Sequence, residues 1–190
     1  MPQYRRAEIE GGTFFLTLVT HRRTRLFLDE RARGCLRESM RAVRSVEPFD
    51  LIDLVLLPDH LHLLIRLPDG DADFSARVSR LKTGFTRRWL ADGGAEADQS
   101  ASRDAQGYRG VWQKRFWEHA VRGDDDLVRC REYVYANPVK HGLCRCPHDW
   151  PWSSFGRAVA AGDMPGDWRC VCDGRESPRL PDVPGAELDD

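Results

Sequence analysis

The 190-residue chain lacks any apolar run of bilayer-spanning length, and its first residues show no secretory leader pattern. It lacks an excess of one charge: 29 lysines and arginines stand against 30 aspartates and glutamates, for a formal net charge of −1. It lacks internal repeats, which excludes a solenoid or propeller. Its six cysteines include two close pairs, Cys144/Cys146 and Cys170/Cys172, each with a one-residue gap narrower than a zinc knuckle normally uses. These absences predict a soluble cytoplasmic protein with no membrane contact, whose cysteines are free thiols. The length suits one domain with a real core. The charge is unevenly placed. Eight acidic residues after position 160 (Asp163, Asp167, Asp173, Glu176, Asp182, Glu187, Asp189, Asp190) outweigh Arg169, Arg175 and Arg179, so the rest of the chain is mildly basic. A basic body can meet phosphate even when the sum is near zero. The expected organisation is one domain over 1–160 and an acidic, extended tail over 161–190.

Thr13 to Thr20 is β-branched and aromatic, as a strand requires. Glu30 to Val46 repeats Leu36, Met40 and Val43 at helical spacing, and Pro48 closes it. Phe49 to Leu57 and His60 to Leu67 read as two strands joined by Pro58-Asp59, hence a hairpin. Asp73 is positioned to cap a helix running to about Ala91, with Phe74, Val78, Leu81, Phe85 and Trp89 on its buried stripe. Asp92 to Gly110 has no periodicity and is expected to be a long mobile loop. A further strand is expected within Val111 to Val121. Asp124 to about Asn137 reads as a helix with acids in its first turn, ended by Pro138. Trp150-Pro151-Trp152 reads as packing material. The order strand, helix, strand, strand, helix, strand predicts a ferredoxin-like α+β fold: an antiparallel sheet with helices packed on it and an added C-terminal helix.

His60 and His62 lie two apart in Leu57-Pro58-Asp59-His60-Leu61-His62, so a strand sets both imidazoles on one face. Neutral imidazole is the commonest metal-binding side chain, although a His-x-His pair alone is as readily two hydrogen-bonded strand histidines. Tyr133 and Asn137, four apart on a helix, share a face, while Tyr135 lies roughly opposite. Two imidazoles and a carboxamide oxygen leave positions open for phosphate oxygens and water, the usual setting of Mg²⁺ or Mn²⁺ at a phosphodiester. A tyrosine one turn before the amide could then attack phosphorus. Taken alone, Tyr-x-x-x-Asn is equally two core residues, with the Asn capping a helix end.

Taken together, these segments resemble the REP-associated tyrosine transposases, an IS200-like group among the HUH single-strand DNA transposases. The resemblance runs through Tyr4-Arg5-Arg6, Gly11-Gly12-Thr13-Phe14-Phe15, Leu57 to His62, Trp112 to His119, Tyr133 to Gly142 and Trp150 to Ser154. It covers roughly 4–154. It implies metal ligation by His60 and His62, an amide ligand at Asn137, and Tyr133 as nucleophile on the C-terminal catalytic helix. It also implies a metal-dependent endonuclease and strand transferase. Such an enzyme cuts single-stranded DNA beside repetitive palindromic hairpins, through a 5′-phosphotyrosine and a free 3′-hydroxyl. Relatives with this chemistry occur as monomers and as homodimers.

Candidate DNA-binding residues are Arg5, Arg6, Arg77, Arg80, Lys82, Lys114 and Arg115, with Arg87 and Arg88 on the same predicted helix. Each taken singly is as readily a solvated charge. Trp112, Phe116 and Trp117 could stack on bases, with at least one expected in the core. His119 is either a site residue or a structural one, and His21 and His141 read as structural or surface residues. The competing reading from another class is a hairpin-binding module without cleavage. A zinc-stabilised structural protein built on the Cys-x-Cys pairs, and a rolling-circle initiator, are further readings.

Overall fold

A computed structural model describes residues 8–172 and 183. Arg5 and Arg6 lie outside the described residues, as does most of the acidic tail. Four strands form one sheet: β1 (Thr13–Val19), β2 (Asp50–Leu56), β3 (His60–Arg66) and β4 (Trp117–Ala120), in the order β2-β3-β1-β4, with every neighbouring pair antiparallel. The helices are α1 (Glu30–Val46), α2 (Phe74–Ala91), α3 (Ala101–Ala105), α4 (Asp124–Lys140) and α5 (Phe155–Ala160). This is the predicted ferredoxin-like order.

Strand alternation divides the molecule. Phe14, Leu16, Leu18, Leu61, Leu63 and Ile65 share one face and form a core with Leu36, Met40 and Val43 of α1 and the Phe74-to-Trp89 stripe of α2. Phe15, Val55 and Leu64 point the other way and pack under α4 and α5 with Cys130, Tyr133, Val134, Tyr135 and Phe155. Asp29 caps α1 by accepting from Arg31 N–H, and Asp73 caps α2 by accepting from Ala76 N–H at 2.8 Å. The outer edge of β2 is covered: Leu56 N–H donates to Trp152 O, and Trp150 Nε1–H donates to Leu56 O.

Four expectations fail. The Asp92–Gly110 stretch is tied down, with α3 inside it, Trp89 Nε1–H on Ala95 O, and a bidentate Arg109–Glu96 pair. Pro138 does not end α4. A proline so near the end removes only one amide donor, and the helix closes at Lys140, where His141 N–H reaches Asn137 O and Gly142, at φ 65°, turns the chain. Residues 161–172 dock instead of extending: the Trp168 ring lies 6.3 Å from Tyr135 and 6.0 Å from Phe155. The cysteines are not all free thiols, because Cys146 and Cys170 are joined as a disulfide. Among the described residues no helix is long and apolar enough to cross a membrane.

Candidate active site

β3 carries the histidines. Its register sets His60 opposite Val19 and His62 opposite Thr17, on the face turned to α4. The rings are 5.1 Å apart at 83°. Each has its Nδ1 engaged: His60 with Asp59 Oδ1 at 2.6 Å, His62 with Thr17 Oγ1 at 2.9 Å. A proton on each Nδ1 would leave both Nε2 lone pairs free to coordinate, the arrangement in which an outer carboxylate or hydroxyl orients a ligating imidazole. His62 Nε2 is buried without a hydrogen-bond partner. Burial lowers the His62 pKa well below the usual imidazole range, and His60, His141 and Lys140 push it the same way, so the ring is neutral at neutral pH. Burial raises the Asp59 carboxyl, but the hydrogen bond and charge of His60 and the Arg23 guanidinium outweigh it and hold the group below its usual range.

α4 supplies the rest. Its first turn is acidic, and Asp126 fixes the helix start by accepting from Arg122 N–H at 2.8 Å and from His119 Nε2 at 2.7 Å. His119 is therefore an anchor for α4. The Tyr133 ring lies 5.3 Å from His62 and 5.7 Å from Phe15, edge-on to both, with Lys140 Nζ 3.5 Å from its hydroxyl. Asn137 follows one turn later, fully buried, and neither atom of its amide has a hydrogen-bond partner. A buried primary amide and a buried imidazole nitrogen left unpaired each cost about 1–3 kcal/mol. A hard divalent cation is a partner suited to these atoms: His60 Nε2, His62 Nε2 and Asn137 Oδ1 are nitrogen and oxygen donors, with no thiolate among them.

Tyr135 faces a different environment. Its hydroxyl donates to Asp53 Oδ1 at 2.6 Å, and Arg131 bonds both Asp53 Oδ2 and the phenol oxygen. Burial and the bond to Asp53 raise its pKa.

The basic candidates on α2 lie across the sheet from the histidines. Arg77 is buried, and both its terminal nitrogens are bonded, to Asp71, Asp73 O and Pro48 O, so its expected role on DNA gives way to a structural one: it ties the start of α2 to the loops around it. Arg80 is exposed and paired with Glu47 at 2.9 Å. Lys82 reaches the carbonyls of Gln113 and Lys114. Lys114 and Arg115 are exposed, and Lys114 Nζ sits 4.9 Å from the Tyr108 ring centre. Lys82, Arg87, Tyr108, Arg109 and Lys114 line a groove of about 530 Å³ between α2 and the 107–116 segment. Trp112 is core, while Phe116 and Trp117 are half-buried.

Sequence reading takes His141 as a structural or surface residue, whereas its ring is 5.2 Å from His60, and it gives no role to Thr17 or Lys140. Thr17 could have been found only through the β1–β3 register, and His141 only from the turn after α4.

An antiparallel sheet holding an imidazole pair under a tyrosine-bearing helix is what the resemblance to the single-strand DNA transposases implies. The family described as Transposase IS200 like matches residues 11–137, and the chain belongs to it. Within that family it is similar to REP-associated tyrosine transposases. It is 39% identical to the REP-associated tyrosine transposase of Escherichia coli over 169 residues, covering 88% of this chain and 91% of that protein. It is also 39% identical over 170 residues to a Haemophilus influenzae protein described in the same terms, covering 88% and 93%. A solved structure of a REP-associated tyrosine transposase bound to a REP hairpin superposes with a TM-score of 0.73 at 36% identity, covering 93% of this chain and 96% of that one.

Proposed function

We propose that this transposase cuts and rejoins single-stranded DNA beside a short palindromic hairpin, with Tyr133 as nucleophile and His60, His62 and Asn137 as ligands of Mg²⁺ or Mn²⁺. The carrying observation is the unsatisfied pair of buried groups, His62 Nε2 and the Asn137 amide, on the face that also holds Tyr133. When bound, the cation would polarise the scissile phosphate and stabilise its developing charge. The chain's own residues do the rest. Asp59 and Thr17 fix the imidazole orientations. Phe15 and His62 hold the Tyr133 ring edge-on, which limits its swing. Lys140 places a positive charge against the phenol oxygen. In the cutting step the phenol oxygen forms the new bond to phosphorus and its proton is released. The bond from phosphorus to the 3′-oxygen breaks, and that oxygen leaves as a protonated hydroxyl. The phosphotyrosine link keeps the energy of the broken bond, so attack by a 3′-hydroxyl can reverse it.

The solved relative bound to a REP hairpin supports a hairpin as the DNA element recognised. Lys82, Lys114 and Arg115 remain the candidates for backbone contact, together with Arg80, which sits on the far side of the sheet from the histidines. The acidic remainder of the chain is read as a tail following the catalytic domain.

The test mixes full-length protein with a 5′- and 3′-labelled hairpin-bearing single strand and Mn²⁺, then resolves denaturant-resistant adducts. The native protein and Tyr135→Phe form the adduct, and Tyr133→Phe does not. An adduct that survives loss of the Tyr133 hydroxyl removes the nucleophile assignment.

A further inference from the structure

The catalytic face leaves two sequence features unused, Cys144-x-Cys146 and Cys170-x-Cys172. They are far apart in sequence, and the fold brings them together. Val171 N–H donates to Arg145 O at 3.0 Å, and the Arg145 guanidinium holds the carbonyls of Val171 and Cys172 at 3.0 and 2.9 Å. The Cα atoms of Cys146 and Cys170 are 4.3 Å apart. With Arg145 beside Val171 and Cys146 beside Cys170, the two segments run antiparallel, so Cys144 falls across from Cys172. Residues two apart in extended backbone share a side. The Cys146, Cys170 and Cys172 sulfurs meet at this pairing, and Cys144 stands two residues from Cys146 on the same segment.

The sulfurs converge further than a single disulfide requires. Cys146 and Cys170 are joined, and Cys172 Sγ lies 2.8 Å from Cys146 Sγ. All three Sγ atoms are within 4.8 Å of one another. A disulfide uses two of these sulfurs and leaves Cys172 pressed against one of them. A tetrahedral ion with thiolate bonds of about 2.3 Å spaces its sulfurs roughly 3.8 Å apart and accepts all four. The donor set is all soft sulfur, unlike the nitrogen and oxygen set around His62, so it selects zinc over magnesium or manganese.

We propose that in the reduced chain, where the Cys146–Cys170 disulfide is open, Cys144, Cys146, Cys170 and Cys172 form a structural zinc site. The ion clips the segment after α5 to the turn after α4. That segment already packs Trp168 on Tyr135 and Phe155 and pairs Arg169 with Glu132 at 3.1 Å. Closing a loop of this length with four bonds makes docking of the segment, and thereby the placement of α4, depend on the metal.

The experiment uses the full chain, purified with reductant and without chelator, carrying His60→Ala and His62→Ala so that the imidazole pair binds nothing. Elemental analysis is expected to give about one zinc per chain. Replacement by Co²⁺ is expected to give intense near-ultraviolet sulfur-to-cobalt absorption, which imidazole ligands do not produce. After denaturation with chelator and no reductant, all six cysteines are expected to alkylate. Cys170→Ser should remove the bound zinc, Cys144→Ser should weaken its retention at least tenfold, and Cys35→Ser should change nothing. A protein that is folded, zinc-free and resistant to alkylation at Cys146 and Cys170 until reduced overturns the proposal. Zinc that is lost with His148→Ala but kept with Cys144→Ser overturns the four-thiolate set.

Discussion

Two tyrosines two residues apart on α4 meet opposite surroundings. Tyr135 enters a corner where every polar atom is answered: its hydroxyl and Ser154 Oγ–H both donate to Asp53 Oδ1, and Arg131 closes the other carboxylate oxygen. Tyr133 enters a corner where an imidazole nitrogen and a whole carboxamide are buried unanswered. Both corners lie on the same face of one sheet under one helix, so burial alone does not distinguish them. A saturated polar network holds the fold in one arrangement. An unsaturated one lowers stability, and it persists where a ligand completes it.

The largest effect on the saturated corner comes from Asp53→Ala. It strands the Tyr135 hydroxyl and the partly buried Arg131 guanidinium, and about 3–5 kcal/mol of stability is expected to go, read by urea denaturation. Adduct yield per folded molecule should hold. If adduct formation falls while the protein stays folded, the two corners are coupled and the division into structural and chemical halves fails.

The complementary change is Asn137→Leu. It removes an unsatisfied amide and keeps most of the volume, so the metal-free protein is expected to gain about 1–3 kcal/mol in the same denaturation while losing adduct formation. A loss of stability would mean that the amide is answered in solution by a group within the protein.

A smaller effect is expected at the start of α4. Burial raises the Asp126 carboxyl, but the Arg122 N–H and the His119 ring bonded to it prevail, and its pKa is lowered from 3.8. A depressed carboxyl contributes stability that is complete above its unfolded value and is lost as pH falls through the folded one. Asp126→Asn should therefore cost about 1–2 kcal/mol at pH 7 by loss of a charge-assisted bond, with the difference from the native protein shrinking only below about pH 3.8. A difference that vanishes already at pH 5 would contradict the assignment.

Much of this was legible in the sequence because it rests on periodicity. The alternation around His60 and His62 fixed their common face, and the spacing of Phe74, Val78, Leu81, Phe85 and Trp89 fixed the helix across from them. Tyr133 and Asn137 were assigned to one face by helix geometry alone. What failed depended on long-range partners. Arg77 reads as a surface cation until Asp71 and the Pro48 carbonyl close around it. The Asp92–Gly110 stretch reads as a loose loop because Glu96 meets Arg109 only after the chain has turned back. The cysteine pairs read as isolated thiols because their pairing depends on contacts across the chain between residues 145 and 171.

The most direct test of the central claim, that the unanswered atoms beside Tyr133 are a cation site, is anomalous diffraction from crystals of the full chain soaked in Mn²⁺. One peak is expected, bonded to His60 Nε2, His62 Nε2 and Asn137 Oδ1, and absent in His62→Ala crystals. A soaked crystal with no peak there, and with an ordered water or side chain bonded to His62 Nε2 and the Asn137 amide instead, would contradict it.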